Sequence, residues 1–153
     1  NLSLRERLVK KSASVIGDVL QRWIDGEITP QKQDSSKATY CWQKDISKEN
    51  AEIKWEVMEP EYIERLVRAM IPWPIAWTTV NIQGNTKIMK IFESELLEIH
   101  SDNTPGTLYS ENNQLLFSTK NPNFSLRVKD LQIEGKSRTK ERDFLNGLGR
   151  ELI

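Results

Sequence analysis

The chain has one cysteine, Cys41, in 153 residues, so no disulfide can form within it. It has one histidine, His100, with no cysteine or second histidine near it in sequence, which leaves no zinc-type ligand spacing. Long apolar runs are missing: none approaches the roughly 20 residues that span a bilayer, and the amino end lacks the basic-then-apolar pattern of a signal peptide. An excess of charge is missing too. Lys and Arg number 22 against 22 Asp and Glu, so the total makes no case for nucleic acid. The carboxylates of residues 43–64 are spaced as a solvated face, not as a facing acid–base pair, and give no support to glycosidase-type chemistry. Cys41 has no base beside it and reads as inert. The expectation is a cytoplasmic protein with no membrane and no metal among its partners. His100 is expected on a surface loop.

What is present is a patterned, rather polar globular chain, 37% hydrophobic with five Trp, too well patterned for disorder. It opens at Asn1 rather than at a methionine, which leads us to expect a piece of a longer protein. Residues 3–25 predict one amphipathic helix, with Ser3 and Glu6 at capping-box spacing and Ile16, Val19, Leu20 and Trp23 on one face. Gly26 suits its C-terminal stop. Residues 31–38 have no periodicity and read as linker, 39–42 as a short extended piece, 47–51 as a helical turn, and Ile53 with Trp55 as a strand fragment. A second helix begins at Pro60, carries Ile63, Leu66, Val67 and Met70 on one stripe, and must stop at Ile71 because Pro72 follows. The period then changes to two. Residues 77–82, 86–97, 106–109, 114–119 and 124–133 predict five strands separated by Gly-, Asn- and Pro-containing turns. A final helix is expected from about Thr139, closed by Asn146-Gly147. The fold class expected is α+β: a small, partly open β-barrel of OB type with flanking helices, preceded by a long helix and a linker.

Residues 68–77 read Arg-Ala-Met-Ile-Pro-Trp-Pro-Ile-Ala-Trp and resemble the Arg-Ala-x-x-Pro-Trp-Pro-x-Ala-Trp segment of the C-terminal domain of methionyl-tRNA formyltransferases. Several other segments are similar to that family in its own order. They are residues 33–40, 47–55 (Ser-Lys-Glu through Ile53-Lys54-Trp55), Lys87-Ile88 with Lys90-Ile91, Pro105-Gly106-Thr107, residues 131–136, and Asp143-Phe144-Leu145-Asn146-Gly147. The resemblance implies that residues 1–30 are the terminal helix of the formyltransferase catalytic domain, 31–42 the linker, and 43–153 the C-terminal OB-like barrel domain. It also implies that the parent enzyme moves formyl from 10-formyltetrahydrofolate to methionyl initiator tRNA. The family's Asn-x-His and Ser-Leu-Leu-Pro machinery does not occur in this sequence, so no catalytic residue and no cofactor is assigned to these residues. The implied partners are tRNA and the Rossmann-like catalytic domain. A second expectation is the accessory domain of a sugar-nucleotide N-formyltransferase, with a structural or oligomerising barrel.

Within the neutral total, charge is uneven. From Lys120 to Arg142 seven basic residues meet three acids, while residues 43–64 carry seven acids and three lysines. Basic side chains along a barrel edge can neutralise phosphates and release counterions. The candidate nucleic-acid contacts are therefore Lys120, Arg127, Lys129, Lys136, Arg138 and Lys140, and tRNA binding expects them on one face. Arg65 and Arg68 are read instead as intrahelical partners of Glu61 and Glu64, with Arg68 packed on Trp73. Trp23, Trp55, Trp73 and Trp77 are expected in the core with Phe117 and Phe124. Trp42, in polar surroundings, is the exception.

Overall fold

The computed structural model describes residues 2–148, which fall into two compact units, Asn1–Asp45 and Ile46–Ile153. The predicted barrel's last five residues lie outside the described ones.

In the first unit a single helix, α1 (Leu2–Ile24), ends at Gly26, whose φ of 74° takes the left-handed conformation that stops a helix. The Glu27 N–H donates to the Arg22 carbonyl at 2.9 Å, satisfying one of the last orphan acceptors. Ser3 lies inside the helix and is not its cap. The predicted apolar stripe is present, but Leu8, Ile16, Val19, Leu20 and Trp23 are exposed, so Trp23 is not a core residue. Two short 3-10 turns follow the helix, Ser35–Lys37 and Gln43–Asp45. Asp34 caps the first: its carboxylate accepts from the Ser36 hydroxyl at 2.6 Å and from the Ser36 N–H at 3.0 Å, which holds its pKa below the ordinary 3.8. Residues 39–42 pair with no strand, and the Tyr40 and Trp42 rings stack with centroids 6.1 Å apart.

The second unit begins with helix α2 (Pro60–Ala69), where Pro60 takes the first helical position that needs no N–H bond. Ile63, Leu66 and Val67 are buried, and Met70 closes the helix by donating its N–H to the Leu66 carbonyl. The stop therefore comes two residues before Ile71. The Ile71–Pro72 and Trp73–Pro74 peptide bonds are both cis. This turn buries Pro74, Ile75 and Ala76 and leaves the Trp73 ring outside, contrary to its expected place in the core.

Six strands follow: β1 (Ala76–Ile82), β2 (Asn85–Leu97), β3 (Leu108–Glu111), β4 (Gln114–Ser118), β5 (Ser125–Ile133) and β6 (Thr139–Lys140). They form one curled antiparallel sheet in the order β1-β2-β5-β4-β3, with β6 beside β5. Among the described residues β1 and β3 are not paired with each other, so the sheet is a half-barrel with an open seam. The predicted strand at Ile53 is a single parallel bridge: the Ile53 N–H donates to the Trp77 carbonyl and the Trp77 N–H to that of Ala51. Residues 139–140, predicted as helix, pair with Asp130 and Leu131 instead. Helix α3 (Glu141–Leu148) starts after them and runs through Asn146 and Gly147, which were expected to end it. Both face solvent, where a helical glycine costs only about 1 kcal/mol, and Phe144 and Leu145 pack on the core.

The core lies on the concave side of the sheet under α2. Trp55 stacks on Phe117 at 4.5 Å, and its Nε1 donates to Thr78 Oγ1 at 2.8 Å. Gly106, at φ 84°, lets the turn before β3 press on that ring: a Cβ there would sit 2.6 Å from Trp55 Cδ1. The turn occupies residues 105–107, so β3 starts two residues later than predicted. Trp77 and Phe124 are only half-buried.

Candidate functional site

Strand alternation places Met89 and Ile91 of β2, with Leu126, Val128, Leu131 and Ile133 of β5, against the core. Two register shifts, between Ile91 and Glu93 and between Glu93 and Ser94, interrupt the ladder. Each strand there has two successive residues between its core-facing ones, Phe92-Glu93 on β2 and Lys129-Asp130 on β5, and these four serve the outer face. The outer face therefore gathers Arg127, Lys129, Arg138 and Lys140 together with Glu93, Glu95, Asp130 and Glu141.

These eight groups form a closed set of ion pairs. Arg127 donates through Nε and Nη2 to the Glu141 carboxylate at 2.8–3.1 Å and lies 3.8 Å from Glu95. Lys129 pairs with Glu95 at 2.8 Å. Arg138 makes a two-pronged bond to Asp130, 2.8 Å on each arm, and lies 4.0 Å over the Phe92 ring. Lys140 reaches Asp130 at 2.8 Å and Glu93 at 3.3 Å. Glu141 also accepts the Leu115 N–H at 2.7 Å, so one carboxylate ties the start of α3 to both β4 and β5. The hydrogen bonds of Arg138, then of Lys140, hold the Asp130 carboxyl below its ordinary 3.8 despite burial. Lys129 lowers the Glu95 carboxyl in the same way. Glu141 raises the Arg127 guanidinium, and Asp130 raises Arg138 and Lys140.

Of the six cations singled out in the sequence, four share this face and each is matched by a carboxylate. Lys120 lies elsewhere, pairing with Glu59 at 2.6 Å and donating to the Val57 carbonyl at the start of α2. Lys136 stands exposed on the β5–β6 turn outside any ion pair. The count along residues 120–142 missed Glu93 and Glu95 because they reach the face from β2. Their alternation on β2, opposite Asp130 and Arg127 of β5, was the signal that strand pairing would have read.

Arg68 is held by Glu64 through two bonds of 2.7 and 2.8 Å, as an intrahelical pair. The cation–ring contact among the described residues is Arg138 on Phe92 rather than Arg68 on Trp73. His100 is exposed and bonds Asp102 at 3.1 Å, and Cys41 is exposed. No group of three His, Cys, Asp or Glu among the described residues could hold a metal ion, and no described helix is long and apolar enough to cross a membrane.

The formyl transferase C-terminal domain family matches residues 45–149. The methionyl-tRNA formyltransferase of Bacillus licheniformis is 32% identical over 148 residues, covering 96% of this chain and 44% of that protein. That of Halalkalibacterium halodurans is 35% identical over 151 residues, covering 98% of this chain and 45% of that protein. The chain thus spans somewhat under half the length of these relatives. HypX from Aquifex aeolicus, solved with tetrahydrofolic acid, shares the fold with a TM-score of 0.58 at 14% identity, over 90% of this chain and 23% of that one.

Proposed function

Because the chain belongs to the formyl transferase C-terminal domain family, we propose that it is the tRNA-holding portion of a methionyl-tRNA formyltransferase. The observation that carries the proposal is the length of the match: relatives of that name align over nearly all of this chain, α1 included. In this reading residues 1–30 belong to the catalytic domain, 31–42 are the linker, and 43–153 are the C-terminal domain. The exposed apolar stripe of α1 supports assigning that helix to a larger body. The half-barrel is read as a variant of the OB type, supported by the long β2, which pairs with β1 over Asn85–Ile91 and with β5 over Met89–Leu97.

The parent enzyme would transfer formyl from 10-formyltetrahydrofolate to the methionine amino group on initiator tRNA, in the cytoplasm. These residues contribute no reacting group to that step; they hold the tRNA so that the amine is placed for attack, which lowers the entropic part of the barrier. Two grooves of the barrel, at Lys90 and at Arg65, are open and lined by charged side chains, which suits the folate's flat ring poorly. Its site is assigned to the remainder of the enzyme.

A second reading is favoured by the outer face, where four cations are matched by four carboxylates. That balance suits the structural barrel of a sugar-nucleotide N-formyltransferase. Titration of the chain with initiator and elongator tRNA at low and moderate salt separates the two. Salt-sensitive binding of both tRNAs is expected, with discrimination lying in the catalytic part. No binding even at low salt would overturn the tRNA reading in favour of the structural one.

A further inference from the structure

The cations able to meet phosphate are not the ones that crowd β5. A guanidinium already bonded to a carboxylate adds no net field, and taking it for a phosphate strands the carboxylate it leaves. Three lysines on one end of the sheet are outside any ion pair: Lys87 and Lys90 on β2, and Lys136 on the β5–β6 turn. The fold brings their backbones to one end of the sheet, Lys87 on the side that Met89 and Val80 take and Lys90 on the outer side, so that the three would edge that end from both faces. Met89 stands opposite Ile133, and the Glu134 N–H donates to the Ile88 carbonyl at 2.8 Å, so the turn is stitched to β2 between Lys87 and Lys90. Two acids lie near them, Glu134, whose carboxylate turns back toward the Ile88 N–H at 3.5 Å, and Asp143, which lines the groove of Lys136 together with the paired Arg138, so that the three lysines keep a positive excess.

The surface there is also shaped to receive a chain. The turn forms the wall between two grooves. One, of about 270 Å³, is lined by Ile88, Lys90, Gln132, Glu134 and Gly135. The other, of about 550 Å³, includes Ile82, Lys136, Ser137 and Phe144. At the crest sits Gly135, where an added Cβ would meet nothing within 4 Å, so a ligand backbone can approach the turn closely. Among the described residues of this unit, the other cations outside the ion pairs above lie among acids: Lys48 and Lys54 in the acidic stretch of residues 43–64, Arg65 beside Glu61 and Glu64, and Arg142 between Glu141 and Asp143.

We propose that Lys87, Lys90 and Lys136 form the phosphate-contacting rim of this domain, while Arg127, Lys129, Arg138 and Lys140 are an internal clamp that holds the sheet. The inference rests on the tRNA reading and moves the contact from the predicted stripe to this rim. Contacts of this type position a polynucleotide without reading its bases.

The test is tRNA binding by the whole chain across a series of KCl concentrations. It compares the unmodified protein, the triple variant Lys87→Glu/Lys90→Glu/Lys136→Glu, its Gln counterpart, and the charge-neutral pair removal Glu95→Gln/Lys129→Gln. Each lost phosphate contact removes roughly 0.7–0.9 from the slope of log K against log salt. The Gln triple is expected to lose about two units of slope and the Glu triple at least as much, each with at least tenfold weaker binding at low salt and an unchanged Tm. The Glu95/Lys129 variant is expected to keep the slope. A rim variant that binds with the unmodified slope, or a slope lost only in the Glu95/Lys129 variant, overturns the placement while leaving the tRNA reading intact. Absence of binding by the unmodified chain overturns both.

Discussion

Glu141 is the residue on which the clamp can be broken most cleanly, and the structure sets the size of the effect. Its side chain is 10% exposed and accepts from two directions, the Leu115 N–H at 2.7 Å and the Arg127 guanidinium at 2.8–3.1 Å. Glu141→Ala leaves the buried Leu115 N–H without its acceptor, a loss of about 1–3 kcal/mol. It also leaves Arg127 with Glu95 at 3.8 Å as its remaining partner, removing a charge-assisted bond of about 1–2 kcal/mol. The two losses share one carboxylate and do not add in full, so about 2–4 kcal/mol is expected. Glu141→Gln keeps an amide oxygen for the N–H and loses only the charge, for about 1 kcal/mol. Urea unfolding at neutral pH, followed by tryptophan fluorescence, to which the core residue Trp55 contributes, reads both values. An added Arg127→Leu should cost less in the Glu141→Ala background than alone, by about 1 kcal/mol. The reasoning fails if Glu141→Ala lies within about 0.5 kcal/mol of the unmodified protein, or if Gln is as damaging as Ala.

Asp130 gives a pH signature. Its carboxyl is held below 3.8 when folded, so its contribution is fully present above that value and is lost as pH falls through the lower folded one. Asp130→Asn should therefore lower stability by about 2 kcal/mol at neutral pH, with the gap closing in acid. Melting curves between neutral pH and about pH 3 check this, and a gap that persists or widens in acid would contradict it. Gly106→Ala places a Cβ 2.6 Å from Trp55 Cδ1 at a φ of 84°. Left-handed strain and overpacking together should cost at least about 2 kcal/mol, seen as a lower urea midpoint with an altered Trp fluorescence spectrum. Gly84→Ala, at similar φ in open space, should cost less.

Local rules were legible in proportion to how local they are. Pro60, the Ile63–Leu66–Val67 stripe, Gly26 and the β1–β2 turn each state their structure within a few residues, and the chain follows them. Trp23 and Trp73 were misjudged because an apolar ring signals burial somewhere, not where. For Trp73 the Pro-Trp-Pro turn buries its neighbours instead. Thr139 and Lys140 carry no strand pattern of their own. They are strand because β5 runs past the end of its pairing with β4 and its free edge needs partners. Gly147 reads as a stop only until the contacts of Phe144 and Leu145 outweigh its modest helical cost.

The charge pattern required information of a longer range. Counting along the chain credits residues 120–142 with surplus positive charge, yet the sheet sets Glu93 and Glu95 opposite Asp130 and Arg127 and spends the surplus on pairing. Lys87 and Lys90 attract no notice in a count, because each is a lone lysine on an alternating strand. They become conspicuous only when Glu134 bonds back to Ile88 and brings Lys136 alongside. A charge is available to a partner when the fold has given it none, and that property belongs to strand register rather than to composition. A run of basic residues on a strand next to an acid-bearing neighbour is therefore better read as a clamp, and the residues to test for binding are the cations that such a pairing leaves over.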